Sequence, residues 1–337
     1  MLTGSQRCNS RPTLNVVITG GLGFIGLALA RTLAVRDDLE SLTLFDTAPA
    51  QTGVSPPERA EVVVGDVCDA EQVRALLDRD NLVVFHLASI VSGGAERDFD
   101  LAVRVNLEGG RNVFEACRAS GVVPRLVFAS TLAVFGGSGM PETVSDSTRP
   151  TPQTTYGATK AACELLVNDY TRKGFLDGRV ARLPTVIIRP GAPNAAASSF
   201  ASAVFREPLA GRDYELPVTL DTRLPVIGAR TAVGCFVRLA ELGDELGDDR
   251  VLNLPSLSVT VADMVESMRR VAARADLSAG EVRVREDPAV ASIVRSWAQR
   301  SSAERAIRLG LPHDRSLEDI VADYLAEESG TPTPARA

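Results

Sequence analysis

The chain has 337 residues, 45% of them hydrophobic and 23% charged, which is the balance of an ordinary globular protein. Its formal net charge is −7 and it has no long basic run, which argues against nucleic acid or an anionic membrane surface as a partner. Five cysteines without paired spacing predict reduced thiols in a cytoplasmic protein, and no apolar stretch approaches the roughly 20 residues that span a bilayer.

Short apolar segments alternate with segments of helical period through the first half of the chain. The strands predicted there are residues 15–19, 41–45, 61–64, 82–86, 125–129 and 180–188. The helices predicted between them are residues 25–35, 70–77, 101–120 and 156–172. This alternation predicts the α/β fold class, with a doubly wound parallel (Rossmann) sheet.

The pattern becomes more irregular after Pro190. Strands are predicted at 224–227 and 251–254, and helices at 261–274, 293–308 and 317–327. We therefore expect a cofactor-binding Rossmann domain over 14–190, with returning segments at about 224–254, and a smaller interwoven C-terminal substrate lobe over 191–327. Residues 1–13 and 328–337 are predicted to be disordered ends.

A glycine-rich turn follows the first predicted strand and opens the first predicted helix. Gly20, Gly23 and Gly26 allow a tight turn and a close approach to a pyrophosphate, and the helix N-terminus offers unpaired N–H groups. Asp46 ends the next strand, where a carboxylate would bind ribose hydroxyls and repel a 2′-phosphate. The turn therefore predicts a dinucleotide site, and Asp46 predicts NAD rather than NADP.

Tyr156 and Lys160 are one helical turn apart and share one face of a predicted helix. Lysine is rare here: Lys160 and Lys173 are the only two lysines among 36 basic residues. A compact ammonium can reach both a nicotinamide ribose and a nearby phenol, and it lowers the pKa of that phenol. The pair predicts that Tyr156 is the general base of an alcohol oxidation.

The spacing Gly20-x-x-Gly23-x-x-Gly26 resembles the extended short-chain dehydrogenase/reductase family. Matching segments continue at Gly65-Asp66-Val67, at His86-Leu87-Ala88-Ser89 and at Asn106-Leu107-Glu108-Gly109. The resemblance implies a cofactor site that also includes Phe24, Ile25, Asp66, Val67, Leu87, Ala88, Ser89, Asn106, Tyr156, Lys160 and Pro190. His86 closes an apolar strand, so we expect it to have a packed structural role.

The segment from Ser130 to Gly136 resembles the family's catalytic-hydroxyl segment, and its final glycine aligns Thr131 with the catalytic position; Ser130 is the second choice. The resemblance implies that Thr131 and Tyr156 hold the substrate hydroxyl while Lys160 holds the ribose. Dehydratases of the family carry a carboxylate pair directly after this threonine. Leu132 and Ala133 stand there instead, so dehydration is set aside.

The runs 182–200 and 206–209 resemble the branch of this family that oxidises the C2 hydroxyl of the four-carbon sugar acid D-erythronate to a 2-oxo acid. Such a substrate needs a cation for its carboxylate and donors for its hydroxyls. The candidates are Arg206 and Arg230 for the carboxylate, and Ser92, Asn194, Ser198 and Ser199 for the hydroxyls. We expect no metal site.

Two other functions stay open at this point. A nucleotide-sugar 4-epimerase with tightly bound NAD needs no further acid or base, and a non-catalytic NAD-sensing module would keep only the cofactor site. The resemblance also implies a homodimer in which the helices at 101–120 and 156–172 pack across a two-fold axis.

Overall fold

The computed structural model describes residues 13–47, 55–191 and 196–329. The strands in these residues are β1 (Leu14–Thr19), β2 (Leu39–Asp46), β3 (Ala60–Val64), β4 (Leu82–His86), β5 (Arg125–Thr131), β6 (Thr143–Val144), β7 (Asp177–Leu183), β8 (Thr185–Ile187), β9 (Tyr214–Leu216), β10 (Arg223–Gly228), β11 (Val251–Asn253), β12 (Leu257–Thr260), β13 (Val282–Val284) and β14 (Arg300–Ser301).

The α-helices in the same residues are α1 (Phe24–Ala34), α2 (Ala70–Leu76), α3 (Ser92–Arg97), α4 (Phe99–Ala102), α5 (Gly110–Ala119), α6 (Thr155–Arg172), α7 (Phe200–Leu209), α8 (Ala229–Glu241), α9 (Val261–Arg274), α10 (Pro288–Arg295), α11 (Glu304–Arg308) and α12 (Leu317–Glu328). A π-helical segment, Val103–Gly109, joins α4 to α5. None of the described helices is both long enough and apolar enough to cross a membrane.

Seven of the strands form one parallel sheet, in the order β11-β7-β5-β4-β1-β2-β3. The strand order reverses between β1 and β4, so the connections after these two strands leave on opposite sides. In such sheets a ligand crevice forms at this point, outside the carboxyl ends of the strands. The predicted doubly wound fold is confirmed, and it fixes where a cofactor can bind.

Both faces of the sheet are buried. Successive residues of β1 show the arrangement: Val17 packs with the helices α2, α5 and α6, whereas Ile18 packs with α1 and α8. Both side chains are fully buried. A strand that is covered on both faces needs apolar residues at every position, which explains the continuous apolar runs in the sequence.

A second, smaller sheet, β12-β10-β8, packs with α7, α9 and α12 around a separate apolar core. The predicted strand 180–188 is divided at Pro184: β7 belongs to the main sheet and β8 to the small one. The segment at 251–254 returns to the main sheet as predicted, because β11 pairs with β7. The segment at 224–227 does not, because β10 pairs with β8 and β12.

Several features of the second half differ from the predictions. The helix expected at 293–308 is α10, β14 and α11, because β14 leaves the helical path to pair with β6. Helices α7 and α8 were not predicted, and nine of the ten residues of α7 are buried. At the chain ends, α12 runs to Glu328, and residues 1–12 and 330–337 lie outside the described residues.

Candidate active site

A cavity of about 420 Å³ lies at the carboxyl ends of β1, β4, β5 and β7. We call it the cleft. The glycine turn and Leu87 bound it on one side, Thr131 and Tyr156 form its middle, and the small sheet with α7 closes the other side. The cleft therefore lies between the two cores, at the crevice that the strand order defines.

The glycine turn leaves room for backbone only. Gly20 has φ +68°, and a β-carbon there would lie 2.7 Å from the backbone nitrogen of Ala88; one on Gly26 would lie 2.4 Å from the carbonyl oxygen of Gly20. The turn therefore stacks directly on the chain that leaves β4. Gly20, Gly23, Phe24, Ile25 and Gly26 all line the cleft, which fits a bound pyrophosphate at the start of α1.

Asp46 stands beside this turn, at the end of β2. Its Oδ2 accepts a hydrogen bond of 3.1 Å from the backbone N–H of Leu22, and its Oδ1 accepts one of 2.8 Å from Thr47. Asp66 and Val67 follow the neighbouring strand, β3, and do not line the cleft. The carboxylate of Asp66 accepts from Cys68, and the Val67 side chain is buried. Asp46 does not line the cleft either, but its carboxylate is held against the glycine turn.

Asn106 does not reach the cleft. Its Oδ1 accepts a hydrogen bond of 2.7 Å from Ile90, and its Nδ2 donates to the Ile90 carbonyl at 3.0 Å. Its amide therefore holds the loop after β4, and its assignment as a cofactor ligand stays a prediction. Within that loop Leu87 and Ser89 line the cleft, whereas Ala88 lies against the glycine turn. Pro190 is likewise not a lining residue, although its neighbour Arg189 is.

Tyr156 is held against the segment that follows β5. Thr154 caps α6 by accepting a hydrogen bond of 3.1 Å from Gly157, and a β-carbon on Gly157 would lie 2.1 Å from the carbonyl oxygen of Ala133. The first turn of α6 therefore lies directly on this backbone. The result is that the Tyr156 hydroxyl meets the hydroxyls of Thr131 and Ser89, both of which act to lower its pKa.

Lys160 lies one turn further along the same face of α6, as predicted. Its side chain is 1% exposed, and its Nζ is 4.7 Å from the centroid of the Phe128 ring and 5.9 Å from that of Tyr156. Burial lowers the pKa of Lys160 to about 8, although Cys163 and Glu164 act in the opposite direction. Tyr156, Lys160 and Thr131 all line the cleft.

The sequence predicts that Lys160 lowers the pKa of Tyr156, whereas in this structure the effect of burial dominates. Burial raises the pKa of Tyr156 to about 12, and the hydroxyls of Thr131 and Ser89 only partly oppose that effect. The reason is that desolvation penalises the phenolate directly, whereas the ammonium is almost 6 Å from the ring.

Ser130 and Thr131 face different surroundings. Ser130 Oγ donates a hydrogen bond of 2.5 Å to Glu164, a buried carboxylate that also accepts two hydrogen bonds from Arg182. Thr131 meets Tyr156 instead. His86 is fully buried too: its Nδ1 lies 2.6 Å from the Thr19 hydroxyl, and burial, followed by the charge of Lys160, lowers its pKa to about 3. Its predicted packed role is confirmed.

The predicted substrate residues separate into two groups. Ser92, Ser198, Ser199 and Arg206 line the cleft. Arg230 does not: it begins α8, and its Nη1 lies 3.7 Å from Asp323 on α12. Its assignment to the substrate stays a prediction. Asn194 lies outside the described residues.

Arg206 is buried beneath the cleft. Its Nε donates to Glu207 at 2.9 Å and its Nη1 to the Arg189 carbonyl at 3.1 Å, whereas its Nη2 is buried without a hydrogen-bond partner among the described residues. The Ser202 hydroxyl accepts a hydrogen bond of 3.0 Å from the Arg189 N–H. Helix α7 therefore fixes both backbone groups of Arg189 and holds an incompletely bonded guanidinium beside the cleft.

The lining residues that the sequence did not single out include Arg189, Ser202 and Trp297. Arg189 and Arg206 both line this side of the cleft, and burial, followed by the charge of Arg206, lowers the pKa of Arg189. No local signal marks these residues, because α7 and the loop before β14 bring them together from distant parts of the chain. Within the described residues no group of three or more His, Cys, Asp or Glu side chains is arranged to hold a metal ion.

The NAD dependent epimerase/dehydratase family matches residues 16–254, so the chain belongs to this family. Relatives named D-erythronate dehydrogenase align with nearly the whole chain. The one from Cupriavidus necator is 47% identical over 94% of this chain and 99% of that protein, and the one from Haemophilus influenzae is 40% identical over 93% and 99%.

A solved structure of a nucleoside-diphosphate-sugar epimerase from Agrobacterium tumefaciens is also similar. It is 36% identical and has a TM-score of 0.86 over 98% of this chain and 99% of that one. Together, the family and these relatives show that the chain is an oxidoreductase of the dehydrogenase type, which uses a nicotinamide dinucleotide cofactor.

Proposed function

We propose that the protein oxidises the C2 hydroxyl of a small sugar acid, D-erythronate in the first instance, to the corresponding 2-oxo acid with NAD. The observation that carries the proposal is the composition of the cleft. One cavity joins Thr131, Tyr156 and Lys160 to the buried guanidinium of Arg206. The relatives named D-erythronate dehydrogenase, at 47% and 40% identity, support this substrate.

The glycine turn would hold the pyrophosphate, and Asp46 would bind the adenosine ribose, which favours NAD because a 2′-phosphate would meet a carboxylate there. Leu87 and Ser89 would lie along the nicotinamide end. When bound, the oxidised cofactor supplies the hydride acceptor and a positively charged ring. Asp66 and Val67 remain proposed as adenine contacts at the edge of the sheet.

Proton transfer is assigned to the residues in the middle of the cleft. Thr131 and Tyr156 would hold the reacting hydroxyl, and Tyr156 Oη would take its proton. Because the pKa of Tyr156 is about 12 in this structure, the base depends on neighbours that stabilise its phenolate. The hydroxyls of Thr131 and Ser89 are placed to donate to that oxygen, and Lys160 adds a positive charge while binding the nicotinamide ribose.

The charge on the far side of the cleft suits a carboxylate. Arg189 and Arg206 contribute two positive charges, and Glu207 is shared between Arg206 and Arg212. The group therefore stays positively charged, and a substrate carboxylate would give Arg206 Nη2 the acceptor that it lacks. Ser92, Ser198 and Ser199 would bind the remaining hydroxyls.

The direct test mixes the protein with NAD and D-erythronate and follows the absorbance of NADH, with NADP as a parallel arm. We expect NADH to accumulate with D-erythronate and much less product with NADP. Four- to six-carbon aldonates and uronates, assayed in the same way, define the preferred chain length. If none of these acids yields NADH, the proposed function is wrong.

A nucleotide-sugar 4-epimerase is the second candidate, and the similarity to the Agrobacterium tumefaciens structure favours it. An epimerase returns the hydride to its substrate, so it accumulates no NADH. Incubation with UDP-glucose and analysis of the sugar products separates the two functions, since only the epimerase would interconvert the C4 epimers.

We also propose a homodimer. Leu165 on α6 and Phe99 on α4 are 73% and 63% exposed, although both are large and apolar. Helix α6 coincides with one of the two segments expected to pack across a two-fold axis, 156–172, and α4 leads into the other, 101–120. Sizing of the wild type and of Leu165→Glu tests the pairing: the wild type should elute as a dimer and the variant as a monomer, and a monomeric wild type would contradict it.

The four described cysteines are free thiols, which supports a reducing, cytoplasmic environment. The division into a cofactor half and a substrate lobe is likewise proposed, with the modification that α8 and β11, rather than β10, return to the cofactor half.

A further inference from the structure

Trp297, the single tryptophan of the chain, lines the cleft from the loop between α10 and β14. Its indole Nε1 is buried, and no group in the described residues accepts its hydrogen bond. Buried donors almost always have an acceptor in native proteins, and the exceptions call for an explanation. The mechanism proposed above does not use this group.

The loop that carries Trp297 is fixed at both ends. Ser296 Oγ donates a hydrogen bond of 2.7 Å to the Ile293 carbonyl, and after β14 the Ser302 N–H donates one of 2.8 Å to Val144. The adjacent Ala298 is 2% exposed and belongs to a small apolar cluster with Leu132 and Val134, the residues that follow Thr131. The loop therefore holds the indole in a fixed position relative to Thr131 and the residues that follow it.

A second unsatisfied donor, Arg206 Nη2, belongs to the same cleft. The two donors differ in kind. A guanidinium is suited to a carboxylate, whereas a neutral indole N–H is suited to a hydroxyl oxygen. A sugar acid carries both acceptors, in addition to the hydroxyl that reacts at Tyr156.

We propose that Trp297 is a specificity-determining residue, which donates a hydrogen bond from Nε1 to a non-reacting hydroxyl of the substrate. This inference rests on the proposed function and deepens it. A substrate without that hydroxyl would leave the buried N–H unpaired, and sites built to bind a hydroxyl discriminate strongly against analogues that lack it. The cleft therefore selects polyhydroxylated acids over simple 2-hydroxy acids.

The test compares the wild type with Trp297→Phe, which keeps an aromatic ring, removes the N–H donor and makes the side chain smaller. Steady-state kinetics use D-erythronate and its 3-deoxy and 4-deoxy analogues. We expect the variant to raise the KM for D-erythronate about tenfold while the KM for NAD is unchanged. For one deoxy analogue the two proteins should be equal, because that analogue already lacks the partner of the indole.

Binding is measured independently of turnover, by calorimetric titration of D-erythronate into each protein saturated with NADH. NADH binding itself shows that the variant is folded. We expect D-erythronate to bind the variant about tenfold more weakly. Equal affinities in the two proteins, or no binding to either, would overturn the role of Trp297.

The two proposals fail in different ways. If the wild type oxidises no sugar acid, the proposed function fails. If the wild type oxidises D-erythronate and Trp297→Phe matches it in KM, affinity and discrimination between the analogues, only the role of Trp297 fails.

Discussion

Ser130 and Glu164 are joined by a buried hydrogen bond of 2.5 Å between the serine hydroxyl and the carboxylate. Arg182 donates two further hydrogen bonds to the same carboxylate, at 2.9 and 2.7 Å. This group links the end of β5, the middle of α6 and the end of β7 beneath the cleft. Ser130 is therefore held in a structural hydrogen bond, and Thr131 is the hydroxyl that faces Tyr156.

This division of roles predicts different effects of substitutions at the two neighbours. Thr131→Val should lower kcat about 100-fold, because the substrate hydroxyl loses its second partner. Ser130→Ala should keep kcat within a few-fold and lower the free energy of unfolding by about 1–2 kcal/mol, since Glu164 retains Arg182. Steady-state kinetics and denaturant unfolding distinguish the two effects. A large loss of kcat in Ser130→Ala with little change in Thr131→Val would mean that Ser130 is the catalytic hydroxyl.

Tyr156→Phe should bind NAD almost as the wild type does and lose about 1000-fold in kcat, because the ring is kept and only the proton acceptor is removed. The comparison uses kcat together with the dissociation constant of NADH, measured by its fluorescence. Near-normal turnover in this variant would mean that Tyr156 is not the proton acceptor. Tyr170→Phe is a suitable control, since Tyr170 lies at the far end of α6, where its hydroxyl pairs with Glu115.

The buried ammonium of Lys160 predicts a pH dependence of stability. Its pKa falls from 10.5 to about 8 on folding, so between these pH values the unfolded chain binds more protons than the folded one. The free energy of unfolding therefore rises with pH through this window, relative to that of Lys160→Met. The difference should reach about 3 kcal/mol across the window. Denaturant unfolding of both proteins at pH 7, 8, 9 and 10 measures it, and a difference independent of pH would contradict it.

Arg206 and Arg230 form a matched pair of variants, because both were candidates from the sequence and only Arg206 lines the cleft. Arg206→Met should raise the KM for D-erythronate about 100-fold through loss of a charged hydrogen bond, and Arg206→Lys should recover part of that loss. Arg230→Met should leave this KM unchanged and cost less than about 1 kcal/mol of stability, since its pair with Asp323 is partly exposed. If Arg230→Met raised the KM for D-erythronate more than Arg206→Met does, Arg230 rather than Arg206 would bind the substrate carboxylate.

Asp46→Asn keeps an oxygen that can accept from the Leu22 N–H and removes the negative charge. We expect the ratio of kcat/KM for NAD to that for NADP to fall at least tenfold, mainly because NADP is no longer repelled. Parallel assays with the two cofactors measure the ratio. An unchanged ratio would mean that a different residue selects the cofactor.

The parts of the site that depend on local spacing were predictable. The glycine turn is a property of seven consecutive residues, and Tyr156 and Lys160 need only one helical turn to share a face. The same holds for the alternation of apolar strands and helices, which specifies the parallel sheet. In each case the physical rule acts over a few residues, so one sequence is sufficient to apply it.

The substrate side could not be predicted in this way. Whether an arginine reaches the cleft depends on which partner it meets: Arg230 is drawn to Asp323, 93 positions later, whereas Arg206 lies in a helix that is buried on all sides. The direction of the pKa shift of Tyr156 could not be predicted in this way either. Charge is visible in a sequence, but the extent of desolvation is a property of the folded cleft.

Pro184, the residue between β7 and β8, has a consequence for protein engineering. The backbone passes from the large sheet to the small one at that residue, returns after β10 through α8 to β11, and leaves again toward β12. A hybrid that combines the nucleotide-binding part of this chain with the acid-binding part of a relative therefore cannot be made with one junction. It needs five, near 184, 228, 255, 302 and 312, because Ala303, Ala306 and Leu311 return to the core of the large sheet before α12 packs in the small one. A single crossover at 190 would separate β11 from its neighbour β7.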